Sequence, residues 1–93
     1  MNIEITDVAV SLNGRDRGKR FVVTGIEEEY CRLADGKGRR LEKPKRKKIR
    51  HVRLEGKLTG STAEKLKNGE KVSNSELRRA IAIYAAARQE GGM

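Results

Sequence analysis

Cysteine, histidine and aromatic residues are almost missing from this sequence, which excludes several classes of protein. The single cysteine, Cys31, has no partner for a disulfide within the chain, and one histidine, His51, is too few for a zinc site of the usual kind. No apolar run is long enough to span a membrane, and the first residues lack the basic and apolar segments of a signal peptide. We therefore expect a cytoplasmic protein with no metal, no cofactor and no membrane anchor.

Groups that could carry out catalysis are equally scarce. The only Cys and the only His lie far apart in the sequence, and no glycine-rich loop of the phosphate-binding type leads into a helix. The carboxylates fall in turns and on predicted helices, where solvent would surround them. We therefore expect that the protein is not an enzyme.

Positive charge is abundant and is concentrated in one part of the chain. The net charge is +9 over 93 residues, and the stretch 37–53 alone holds ten Lys and Arg against Glu42, which is 10 − 1 = +9. A second basic stretch, residues 14–20, has four cations against Asp16, whereas residues 21–36 are acidic. Charge separated in this way favours a polyanionic partner, and nucleic acid is the commonest of these.

Short runs of alternating apolar residues, separated by turn signals, predict a mainly β fold. Four runs, residues 8–12, 20–26, 30–34 and 49–54, have alternating apolar residues of the kind that strands prefer. The turn signal DGKG predicts a further short strand directly after it, at residues 39–42. Pro44 interrupts the pattern because it cannot donate to a ladder. Five short strands in about fifty residues favour a small closed barrel, since closure removes exposed edges. Cys31 shares a face with Leu33 and is expected in the core.

The first turn is rich in residues that stabilise tight turns. It reads NGRDRG over residues 13–18, and we expect Gly14 and Gly18 to adopt the positive φ angles that the turn needs. Asp16 lies between two arginines, so we expect it to pair with one of them or to cap the turn.

After residue 56 the pattern changes from strands to two helices. The first is expected to begin at Ser61 as N-cap with Glu64 in a capping box, and to stop at Gly69. The second repeats this device with Ser73 and Glu76. It then places apolar residues on one narrow face: Leu77, Ala80, Ile81, Tyr84 and Ala87. We therefore divide the chain into a barrel, residues 1–56, and a helical extension, residues 57–93.

A family resemblance is carried by residues 8–26, which read VAVSLNGRDRGKRFVVTGI. The alternating apolar residues around a turn centred on Gly18 resemble a KOW motif. The wider run 14–54, with GRDRG, LADG and EKPKRKKIRH, is similar to large-subunit ribosomal proteins of the fourteen-e and twenty-seven-e group, and especially to their small bacterial KOW-domain relatives. The resemblance implies an SH3-like barrel that binds RNA, usually ribosomal RNA.

The predicted function is therefore that of a monomeric RNA-binding protein that contacts phosphates and recognises shape. Low aromatic content favours structured RNA over a specific single strand, although Tyr30 is a candidate for base stacking, and His51 for donation to a phosphate or base. The candidate RNA-binding residues lie in the two basic stretches: Arg15, Arg17, Lys19, Arg20, Lys37, Arg39, Arg40, Lys43, Lys45, Arg46, Lys47, Lys48, Arg50, His51 and Arg53.

Other interpretations of the same residues stay open at this point. The run PKRKKIR also fits a nuclear-localisation signal or a lipid-binding patch, and both patterns have low specificity. The protein could be a permanent ribosomal component or a transient factor. It could also be an adaptor in translation or transcription, with Leu77, Ile81 and Tyr84 docking on a protein partner.

Overall fold

A five-stranded antiparallel sheet and two helices form the computed structural model, which describes residues 2–91 of the chain. This confirms the mainly β fold with five strands followed by two helices. The strand order is β4-β3-β2-β1-β5. The elements are β1 (Asp7–Ser11), β2 (Arg20–Glu27), β3 (Tyr30–Ala34), β4 (Lys45–Lys48), a 3-10 turn (Ile49–His51), β5 (Val52–Lys57), α1 (Ser61–Lys67) and α2 (Asn74–Gly91).

The expected fourth strand at residues 39–42 is wrong, because other bonds use the backbone there. Leu41 N–H donates to the side-chain oxygen of Asn74 at 2.8 Å, and Lys43 N–H donates to Arg40 O at 3.0 Å. The strand begins after Pro44 instead, and it pairs Lys45 with Leu33 and Lys47 with Cys31. The residues expected to open the fifth strand, 49–51, form the 3-10 turn.

The expectation of a closed barrel is also wrong. In the described part of the chain no ladder joins β4 to β5, the two ends of the strand order, and the 3-10 turn connects them. Lys48 already lies opposite Tyr30 at the end of the β3 ladder, whereas Val52 lies opposite Ser11 on β1. The turn therefore carries the chain between two edges that remain unpaired with each other.

Both faces of the sheet are buried, which explains why Phe21, Val22 and Val23 are apolar without alternation. One face forms an inner cluster, which consists of Ala9, Phe21, Val23, Cys31, Leu33 and Val52. The other face lies under the helices and forms a helix-covered cluster, which consists of Val8, Val22, Ala34, Leu58, Ala63 and Leu77. The burial of Cys31 is confirmed.

The helices are part of the same core as the sheet. Leu77 is 0% exposed, and Ile81 and Tyr84 pack against the helix-covered cluster. Of the three residues expected to dock on a protein partner, Leu77 is therefore covered by the sheet, whereas Ile81 and Tyr84 are half-buried. The boundary expected after residue 56 falls inside β5. Within residues 2–91, neither helix is both long and apolar enough to cross a membrane, and no group of three His, Cys, Asp or Glu could hold a metal ion.

The helix ends agree with the sequence pattern in part. Ser73 Oγ accepts the N–H of Glu76 at 3.1 Å, as expected for the start of α2, and Gly69 follows α1 with a φ of 72°. The capping role expected of Ser61 is wrong. Gly60 occupies the N-cap position without a side-chain bond, and Ser61 is the first helical residue.

Glu55 on β5 fastens α2 to the sheet through a group of polar contacts. Its side chain is 8% exposed and accepts a hydrogen bond from Arg20 Nε at 2.7 Å and one from the Tyr84 hydroxyl at 3.2 Å. The bond from Arg20 is the main cause that lowers the pKa of the Glu55 carboxyl. The next residue, Gly56, has to be small, because a Cβ there would lie 2.6 Å from the Tyr84 hydroxyl.

Replacing this carboxylate should weaken the fold in a pH-dependent way. The Glu55 pKa is lower in the folded than in the unfolded chain, so its stabilisation is present above about pH 5 and is lost as the pH falls through the folded pKa. We expect Glu55→Gln to lower the free energy of unfolding by about 1–2 kcal/mol near neutral pH.

Urea denaturation of the parent and the variant, at about pH 7 and about pH 3, measures this difference. It should shrink at the lower pH. Glu27→Gln is the control, because its pair with Arg32 is exposed on both sides and should contribute little. A difference that stays constant with pH would contradict the assignment.

Candidate nucleic-acid interface

The turn between β1 and β2, residues 12–19, presents the first group of cations. Gly14 and Gly18 have φ angles of 75° and 83°, which confirms their role in forming the turn. Gly18 N–H donates to Ser11 O at 2.8 Å and closes the turn at its base. The side chains that this turn exposes to solvent are Arg15, Arg17 and Lys19.

Asp16 joins this turn to the second basic segment, the loop of residues 35–44. It is 8% exposed, and its carboxylate accepts a hydrogen bond from Arg39 Nη2 at 3.1 Å. The expectation that Asp16 pairs with a flanking arginine is therefore wrong, since its partner lies 23 residues further along the chain. This pair places the turn beside the loop, and it engages Arg39 within the protein.

The loop of residues 35–44 is held against the start of α2. Gly36 has a φ of 76°, and a Cβ there would lie 2.5 Å from Asn74 O, so the loop backbone approaches the helix closely. Arg78 Nη1 donates to Gly36 O at 2.6 Å, and Asp35 Oδ1 accepts the N–H groups of Lys37 and Arg39 at 2.9 and 2.8 Å. The cations of this loop are thus displayed from a fixed backbone.

Lys47 on β4 fastens the turn from inside the protein. Its ammonium donates to Ser11 Oγ at 2.7 Å, to Asn13 O at 3.0 Å and to Asn13 Oδ1 at 3.2 Å. The residue is 9% exposed, so its expected place on the RNA-binding surface is wrong. Side chains alternate between the two faces along β4, so Lys47 points to the same face of the sheet as Cys31, its partner in the ladder.

The 3-10 turn of residues 49–51 lies beside the turn between β1 and β2 and adds further basic residues. His51 O accepts the N–H of Leu12 at 2.9 Å, which places residues 49–51 directly against the turn of residues 12–19. Arg50 and Arg53 are exposed, and His51 is half-buried. We call the three segments together, residues 12–19, 35–44 and 49–51, the basic end.

Most candidate cations remain without a carboxylate partner. Within residues 2–91, the two candidates that form ion pairs are Arg39, with Asp16, and Arg20, with Glu55. Arg20 lies in the contact between sheet and helix, apart from the basic end. The remaining cations are exposed or half-buried: Arg15, Arg17, Lys19, Lys37, Arg40, Lys43, Lys45, Arg46, Lys48, Arg50 and Arg53.

A cleft lies beside the loop and the first residues of β4. Its volume is about 730 Å³, and its lining residues are Gly38, Arg39, Arg40, Glu42, Lys43, Pro44, Lys45 and Arg46. Arg46 Cζ lies 3.7 Å from the centroid of the Tyr30 ring, so this tyrosine stacks on a guanidinium of the same protein. The sequence pattern gave no signal for this pair, because it depends on the register of β3 and β4.

Comparison with known proteins adds no family to this description. Neither a scan against protein-family models nor a search of curated proteins finds a match for the chain. What the basic end can bind therefore has to be argued from its own charge and geometry.

The buried position of Lys47 leads to a prediction about stability. Lys47→Gln shortens the side chain and leaves the oxygens of Ser11 and Asn13 without their donor, so we expect a loss of about 2 kcal/mol in the free energy of unfolding.

Lys48→Gln removes the same charge from the next residue of the strand, which points to the other side, and should change stability little. Urea denaturation of both variants makes the comparison. Equal stability of the two variants would show that the Lys47 ammonium does not hold the turn.

Proposed function

We propose that this protein binds structured RNA at the basic end, without catalysing a reaction. The observation that supports this most is the convergence of three basic segments that are distant in sequence. The turn of residues 12–19 bonds to the loop of residues 35–44 through Asp16, to β4 through Lys47 and to the 3-10 turn through Leu12. These bonds hold the cations of the three segments near one another.

Phosphate groups match such a surface better than other anions do. Lys and Arg that neutralise successive phosphates release counterions from the nucleic acid, and this release drives association. The acidic turn of residues 27–29 lies at the far end of β2 from the turn of residues 12–19 and borders the 3-10 turn, where Glu29 O accepts the N–H of Ile49 at 2.8 Å. It would therefore orient the RNA toward the turn of residues 12–19.

The nature of the target is proposed from the sequence. The resemblance of residues 8–54 to KOW-domain proteins favours ribosomal RNA or the ribosome, and hence a place in the cytoplasm. The scarcity of aromatic residues favours recognition of backbone and shape over recognition of an extended single strand. An adaptor would have to bind its partner without Leu77, which is buried under the sheet.

Binding should depend steeply on salt. If about six phosphates are contacted, we expect affinity for a structured ribosomal RNA fragment to fall about a thousandfold between about 50 and about 200 mM salt. Replacing Arg15, Arg17 and Lys19 by Gln should weaken binding and lower the slope of log K against log salt by about three.

Fluorescence anisotropy over a salt series measures both quantities. The matched control removes three exposed cations from the helical side of the protein: Lys67, Lys71 and Arg79, each changed to Gln. It should leave the slope nearly unchanged. A flat salt response of the parent protein, or equal effects of the two triple variants, would contradict the proposed interface.

Removing a negative charge from the basic end should weaken binding. Asp16→Asn raises the net charge by one, so charge alone predicts tighter binding. It also breaks the ion pair that holds Arg39 and the loop against the turn, and ordering them again on binding costs free energy.

We expect the affinity of Asp16→Asn for the same RNA to fall about fivefold, which corresponds to about 1 kcal/mol. Glu28→Gln, at the far end of β2, makes the same change of charge without affecting the loop. If Asp16→Asn binds as tightly as Glu28→Gln, the ion pair does not organise the interface.

A further inference from the structure

We infer that the cleft of residues 38–46 binds one unpaired nucleotide of the RNA, with its base stacked on Arg46 and an amino group of the base donating to Glu42. This inference rests on the proposed function and adds a base-selective site to the contacts with phosphates. It favours guanine, whose N1–H and amino group lie side by side and can both donate to one carboxylate, over adenine, cytosine and uracil, which present a single N–H donor group beside acceptor atoms.

The size and lining of the cleft suit a nucleotide. Pockets for small ligands have volumes of about 300–1,000 Å³, and this cleft has about 730 Å³. Exposed cations on its rim, Arg40 and Lys43, can contact the phosphate, and Pro44 contributes an apolar surface. A base that leaves its stack in a bulge or loop could enter from the solvent side.

Arg46 is arranged as a flat surface for stacking. Its guanidinium lies 3.7 Å from the centre of the Tyr30 ring, and Arg46 lines the cleft whereas Tyr30 does not. The tyrosine therefore supports the guanidinium from behind and limits its rotation. Guanidinium planes are common stacking partners of unpaired RNA bases, and a plane fixed in advance loses less entropy when the base binds.

Glu42 supplies the hydrogen-bond acceptor that distinguishes the bases. It is the one carboxylate among the residues that line the cleft, yet within residues 2–91 it pairs with none of the surrounding cations. Instead Asn74 Nδ2 donates to its Oε1, and this bond is the main cause that lowers the pKa of the carboxyl. The side chain is thus held ionised, and its carboxylate oxygens can accept N–H groups of a base.

RNA hairpins with a single bulged nucleotide test the site. Four hairpins that differ only in the bulged base, and a fifth without a bulge, are titrated with the full chain by fluorescence anisotropy at one salt concentration. We expect the hairpin with bulged G to bind about tenfold more tightly than those with bulged A, C or U, and the hairpin without a bulge to bind most weakly.

Two substitutions separate the stacking from the hydrogen bond. Glu42→Gln keeps an oxygen near Asn74 but replaces the second acceptor oxygen by a donor, so the preference for bulged G should disappear. Arg46→Lys keeps the charge and loses the plane, so the bulged hairpins should bind no better than the unbulged one. The matched controls, Glu28→Gln and Arg50→Lys, should retain both preferences.

The possible outcomes distinguish this inference from the proposed function. If all five hairpins bind equally tightly and with the same dependence on salt, the nucleotide site is refuted and the binding of RNA phosphates stands. If the preference for bulged G persists in Glu42→Gln, the role of Glu42 is refuted. If none of the hairpins binds at any salt concentration, both proposals fail.

Discussion

Two charged side chains that are largely buried, Lys47 and Asp16, hold the basic end together. A charge removed from water is costly unless it finds partners, and each of these finds its partner on a distant segment: Lys47 on Ser11 and Asn13, and Asp16 on Arg39. The cost of burial thereby becomes a constraint on position, since the turn of residues 12–19 cannot move away without leaving both charges unpaired. These two buried charges thereby fix the backbone from which the exposed cations extend.

The helices also help to hold the basic end in place, from the other face of the sheet. A sheet of five short strands needs cover on both faces, and α2 supplies it by burying Leu77 against Val8 and Val22. Because α2 begins at Asn74, its start also bonds the loop of residues 35–44: the Asn74 side chain accepts the N–H of Leu41, and Arg78 donates to Gly36 O. The segment that looks like an appendage in the sequence therefore closes the core and fixes the second basic segment.

The accuracy of the sequence interpretation follows the strength of the local signals. β1, β2, β3 and α2 have clear apolar periods, and the predictions for them agree with the structure to within one or two residues at most ends. β4 reads KRKK and has no apolar residue, so its position follows from the ladder with β3 and from lysine stems that pack inward. No local pattern predicts this strand. No local pattern predicts the bond between Leu41 and Asn74 on α2 either, which keeps residues 39–42 out of the sheet.

The candidate site was predictable in its composition but not in its organisation. Local charge density identified the exposed cations of the basic end, and it also included Arg20 and Lys47, whose roles depend on contacts with Glu55 and with Ser11 and Asn13. Pairs such as Asp16 with Arg39 join residues far apart in the chain, so no spacing rule reveals them.

The organisation of the site matters for the proposed interface, because net charge alone would attract any polyanion. A backbone held by Gly36, a guanidinium backed by Tyr30 and a carboxylate held by Asn74 present fixed geometry, and fixed geometry can discriminate between shapes and bases. Positive charge accounts for attraction at this surface, whereas the few internal bonds beneath it would account for selectivity.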